Sequence, residues 1–278
     1  MRKIIIILCC VFWSNSFFGQ INFEEVKNQI HNLSDKTEIE KYWLEIHDSD
    51  QENNGGSVEY SEETDILNLY KTSVLIEKFG YPTGVEFAYP AYTTPWVVWA
   101  HCYYPSLSKA TFSVILEGKK LNQILPQDFF PNYFVGGYLL NCYGFDMVFD
   151  RSFDLDGKLI ENTFQELRKT SQSIEKIEEH INNYFQNKNS KISQTLGSWE
   201  FFQHEEKQTF KIVELENQKW FLVLSRENSN TERFLEIKNN NKKFEVVGGF
   251  DLFYFKVNEV NKLEITRTKD DKVIKVSI

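Results

Sequence analysis

His101 is the residue whose type and setting best suit chemistry. It closes the apolar run Trp96-Val97-Val98-Trp99-Ala100 and precedes Cys102, Tyr103 and Tyr104. An imidazole in that position could act as a general base or a metal ligand. Asp48, Asp50 and Glu52 could supply its carboxylate partner, and His47 a second imidazole. The candidate catalytic pair is therefore His101 with Asp50. The competing account makes His101 a core histidine satisfied by one hydrogen bond, and Asp48 to Glu52 a charged loop in water. No H-E-x-x-H, G-x-S-x-G or other compact catalytic motif occurs.

Other candidate sites fail on spacing. Asp48, Asp50, Glu52 and Glu59 are spaced like calcium ligands, but Asn53 stands where such a loop needs Gly. Asp154-Leu155-Asp156-Gly157 lacks that spacing altogether. Gly136-Gly137 and Gly248-Gly249 lack the lysine and spacing of a phosphate cradle. No metal or cofactor is expected. Aromatic residues are dense from Phe79 to Phe149, which makes either a helical core or a platform for sugars or a protein partner. Tyr89-Pro90-Ala91-Tyr92 is the loop where such rings would be exposed.

These residues sit in a chain of 278 with a formal net charge of −9, 41% hydrophobic and 26% charged residues. That content supports a packed core and excludes wholesale disorder. The acidity argues against a nucleic-acid partner, which calls for a basic face. Met1-Arg2-Lys3, the apolar run Ile4 to Trp13 and the small residue Gly19 follow the plan of a secretory signal peptide over residues 1–19. An uncleaved anchor and a lipoprotein built on Cys9 or Cys10 are the alternatives. A secreted or periplasmic protein is expected, with no transmembrane segment after cleavage. Cys102 and Cys142 then remain, either bridged or as buried fillers.

Two periods divide the rest. Residues 20–188 show mainly helical spacing: Phe23, Val26, Ile30 and Leu33; then Ile39, Tyr42, Trp43 and Ile46 after a cap at Ser34 or Asp35. Asp48 to Ser57 reads as a loop. A helix from Ser61 should stop at Gly80-Tyr81-Pro82, and further helices are expected at Thr94 to Tyr104, Ser106 to Lys119, Asn132 to Cys142 and around Ile174 to Phe185. A hairpin turning on Asp156-Gly157 is expected at Phe153 to Ile160. After Ser190 the period becomes two, and turn clusters mark about eight short strands over residues 193–278. The fold class expected is α+β, a mainly helical domain followed by a small all-β, barrel-like domain.

Two resemblances fit this division. Leu196-Gly197-Ser198-Trp199 resembles the G-x-W opening of small lipocalin-like domains. The resemblance implies that Trp199 closes one barrel end and that Arg267 packs on its ring. The strands are short and rich in Phe, so a filled interior is expected. Asp50-Gln51, Gly80-Tyr81-Pro82 and Trp96 to His101 resemble motifs of a bacterial family known only as a domain of unknown function. Asp150-Arg151 extends that likeness. It departs from the family pattern at Asn54 and Ala100, and it implies organisation rather than chemistry.

The expectation is a non-enzymatic binding or interaction protein, its partner an unidentified protein or small-molecule ligand. The alternative is a hydrolase-like enzyme using His101 and Asp50.

Overall fold

The computed structural model describes residues 21–55, 59–102, 104, 106–111, 173–203, 206–227, 232–247, 253–268 and 270–278. The signal-peptide segment, Asn132 to Cys142, the hairpin at Phe153 to Ile160, Asp150-Arg151, Gly136-Gly137 and Gly248-Gly249 lie outside the described residues. The protein is α+β: helices first, then an eight-stranded antiparallel sheet curled into a half-barrel.

The helices are α1 (Phe23–His31), α2 (Lys36–Asn54), α3 (Glu62–Phe79), α4 (Thr94–His101) and α5 (Ile174–Lys188). Side-chain oxygens of Asn22, Asp35 and Ser61 accept from Glu25 N, Glu38 N and Thr64 N. Each satisfies one amide that the first helical turn leaves without a partner. Gly80 ends α3 at φ 82°, a left-handed conformation that glycine adopts without steric cost.

One element departs from expectation. The loop placed at Asp48 to Ser57 is helical through Asn54. The buried stripe of α2 is Trp43, Ile46, Asp50 and Asn53, so helical spacing continues but changes from apolar to polar side chains. Charge alone suggested solvent; the facing residues of α3 instead supply hydrogen bonds.

The strands follow in chain order: β1 (Ile192–Gln203), β2 (Glu206–Leu215), β3 (Trp220–Arg226), β4 (Glu232–Asn240), β5 (Lys243–Val246), β6 (Phe253–Val257), β7 (Leu263–Arg267) and β8 (Lys272–Val276). Each pairs with the next, so β1 and β8 are the edges. Ile278 N donates to Glu200 O at 3.0 Å and Lys275 Nζ to Phe202 O at 3.1 Å, bringing the two edges together. Alternation places Phe210, Ile212, Leu263 and Ile265 inside, joined by Phe201, Phe244 and Phe255. The register shifts in β7–β8 between Ile265 and Thr266. Val276 and Ile278 are exposed beyond that shift while Ser277 is buried, as expected when a bulge exchanges the two faces. One continuous apolar cluster takes in both the helices and the inner face of the sheet.

The Gly-Ser-Trp opening has a steric basis. A Cβ at Gly197 would lie 2.5 Å from both Cζ2 and Cη2 of Trp199. The indole therefore folds back over backbone that only glycine leaves bare. Its Nε1 donates to Asn261 O at 2.8 Å, in the turn before β7. Arg267 is the last residue of β7, roughly 13 Å along the strand from Leu263. There its Nε donates to Asp270 Oδ1 at 2.9 Å, and a second guanidinium nitrogen pairs with Asp270 Oδ2.

Candidate functional site

His101 and Asp50 meet where the C-terminal ends of α4 and α2 converge. His101 Nδ1–H donates to Asp50 Oδ2 at 2.8 Å; the Asp50 side chain has no exposed surface, whereas the imidazole keeps 29% of its own. Gln51 Nε2 donates to the same oxygen at 3.0 Å. His47, the other candidate imidazole, turns to its neighbour Asp48 at 3.3 Å. Glu52 is exposed on α2. Asp48, Asp50 and Glu52 therefore share a helix rather than a charged loop, and Asp50 alone of the three is buried.

A second buried carboxylate, Asp65 of α3, supports the first. It accepts from Asn53 Nδ2 at 2.7 Å, Asn54 Nδ2 at 2.9 Å and Tyr60 OH at 2.8 Å. Asn53 also bridges the two helices, donating to Ser61 O at 2.9 Å and accepting from Ser61 N at 2.8 Å. Asn54 donates to Asp50 O at 3.0 Å as well as to Asp65. The last turn of α2, which carries Asp50, is thus clamped to the first turns of α3.

The proton affinities follow from this burial. Desolvation would lower the His101 pKa, but the Asp50 hydrogen bond and the charges of Asp50 and Asp65 outweigh it, and the net shift is upward. Desolvation raises the Asp65 pKa against its three hydrogen bonds, and the Asp50 charge raises it further. Burial pushes the Cys102 thiol up to about 12. That thiol is free and fully enclosed.

Beside this site Glu62 of α3 accepts from Tyr184 OH at 2.9 Å and pairs with Lys188, tying α3 to α5. No group of three or more His, Cys, Asp or Glu side chains among the described residues is placed to hold a metal ion. Among the same residues no helix is long and apolar enough to cross a membrane.

Sequence reasoning paired His101 with Asp50 but missed Asp65, Asn53, Asn54 and Tyr60. The available signal was spacing. Asp50, Asn53 and Asn54 continue the stripe begun by Trp43 and Ile46, and Asp65 follows the Ser61 cap by one turn.

The fold and site together define an α+β protein with a buried carboxylate–imidazole pair in its helical half. No family model, no curated protein and no solved structure matches this chain.

Proposed function

We propose that this is a secreted or periplasmic protein whose helical half carries an acid–base site of hydrolytic type. His101 is the proton-transfer group and Asp50 its orienting partner. The observation that supports this is the 2.8 Å contact between a carboxylate without exposed surface and an imidazole that remains partly in solvent. With Nδ1–H held by Asp50, Nε2 keeps the lone pair. A base held in this way takes a proton from a water or hydroxyl and returns it to a leaving group. Asp50 fixes the tautomer and stabilises the imidazolium formed on the way. The β half serves as a filled scaffold: Phe201 and Phe210 meet as tilted rings at 4.7 Å, and Phe210 meets Phe255 at 6.3 Å. The resemblance to lipocalin-like domains and that of the helical part to a family of unknown function belong to this proposal.

Diethyl pyrocarbonate tests it, because the reagent needs a reachable imidazole lone pair. Peptide mapping should find His101 modified in the folded protein. Hydrolysis of a chromogenic ester, glycoside or phosphodiester should be lost in both His101→Ala and Asp50→Asn. A folded protein whose exposed His31 reacts while His101 stays untouched would overturn the proposal.

Binding without catalysis is the second reading, favoured by the connection between α3 and α4. There Val85 is 88% and Tyr89 74% exposed. Capture of a partner from the envelope fraction, reduced by Tyr89→Ser and unaffected by His101→Ala, would select this reading.

A further inference from the structure

We infer that Asp65 is a positioning residue of the His101 site, acting through the last turn of α2. This rests on the role given to His101 above and adds a residue that does not hydrogen-bond to the imidazole. Asp65 is fully buried, and all three of its donors belong to the α2–α3 junction. Asn54 is the mechanical link. Its amide spans Asp65 Oδ1 at 2.9 Å and the main-chain oxygen of Asp50 at 3.0 Å. Moving Asp65 therefore moves the peptide that carries Asp50, and with it the acceptor for His101 Nδ1. Side-chain packing alone would not require a carboxylate here, because an apolar residue could fill the same volume without desolvating a charge.

The arrangement also carries charge. From α2 the imidazole meets Asp50, and from α3 the charge of Asp65 reaches it. Behind Asp65 stands Tyr60, whose hydroxyl feels Glu62 of α3 and, from β4 of the sheet, Arg233. Glu62 is itself paired with Tyr184 and Lys188 of α5. Cys102, next to His101 in the chain, is enclosed with its thiol pKa raised, so it stays neutral beside the imidazole. Two buried carboxylates thus act on one imidazole, one through a direct bond and one through a helix turn and the field.

The test is a histidine titration of the full chain by long-range 15N–1H NMR, which reports the midpoint and tautomer of each of the five histidines. Asp65→Asn keeps the shape and removes the charge. It should lower the His101 midpoint and leave that of His180 in place. Asn54→Ala keeps the charge and removes the link. It should mix the His101 tautomers, lowering the Nδ1–H fraction from the nearly exclusive value expected of the natural chain. A folded Asp65→Asn with an unmoved His101 midpoint would overturn the inference. Should Asp65→Asn not fold, an Asn54→Ala protein with unchanged midpoint and tautomer would overturn it equally. These readouts are independent of turnover. A His101 that titrates as described but is catalytically inert would defeat the proposed function and leave the Asp65 inference standing.

Discussion

Gly197→Ala should destabilise the protein through a single contact. The new Cβ would lie 2.5 Å from Cζ2 and Cη2 of Trp199 and 3.2 Å from Cε2. Carbon atoms pack at about 3.5–4.0 Å, so the ring must move by roughly 1 Å. It is poorly placed to do so, being 5% exposed and held by Nε1 to Asn261 O at 2.8 Å. Overpacking of this kind costs about 1–3 kcal/mol. Losing the part-buried indole hydrogen bond would add about 0.5–1.5 kcal/mol. Against this, alanine in place of glycine in a strand contributes about 0.5–1 kcal/mol of stability. The net expectation is a loss of about 0.5–4 kcal/mol. Trp199→Ala alone should cost about 3–5 kcal/mol as a large-to-small core change. With the ring gone, adding Gly197→Ala should be neutral or slightly stabilising, so the cycle returns a large coupling energy. Urea unfolding of the four proteins followed by circular dichroism measures it. A Gly197→Ala cost that persists unchanged in the Trp199→Ala background would refute the steric account and point to backbone conformation instead.

Four further outcomes are expected. His101 has a folded-state pKa above its ordinary 6.5, so its stabilising effect is complete below about pH 6.5 and is lost as pH rises through the folded value. The cost of His101→Gln, measured by urea unfolding from pH 5 to 9, should therefore shrink with rising pH; a constant cost would exclude the charged pair. Lys188→Ala removes the ion pair of a Glu62 carboxylate whose side chain is 4% exposed, leaving it the Tyr184 hydroxyl, and should cost about 2–3 kcal/mol, below the usual range for a buried pair because the lysine is itself partly solvated. The exposed Lys41–Glu45 pair should lose less than about 0.5 kcal/mol in the same unfolding assay when Lys41→Ala is made. Cys102, enclosed and with its pKa near 12, should resist iodoacetamide until the chain unfolds, as peptide mapping would show; modification in the native state would mean that the α4 terminus opens.

The amino-acid sequence by itself determined the period of each half. Apolar side chains must lie on one face of any element, so spacing of three to four residues marks α1, α3 and α5, and alternation after Ser190 marks the strands. A cap at Ser34 or Asp35, the helix start at Ser61 and the stop at Gly80 are local chemistry and need no distant partner; the structure selects Asp35. The inside positions of Phe210, Ile212, Leu263 and Ile265 follow from alternation for the same reason. Tertiary structure alone decided the last turns of α2. Asp50, Asn53 and Asn54 read as solvent-facing because their burial is tolerable only with donors and acceptors supplied by Ser61, Asp65 and His101, between 8 and 51 residues further along the chain. It also decided the partner of Arg267. Its guanidinium pairs with Asp270 in the turn after β7. Local patterns record which face an element buries; which polar groups meet across that face depends on where separate elements come to rest, and no local spacing encodes that.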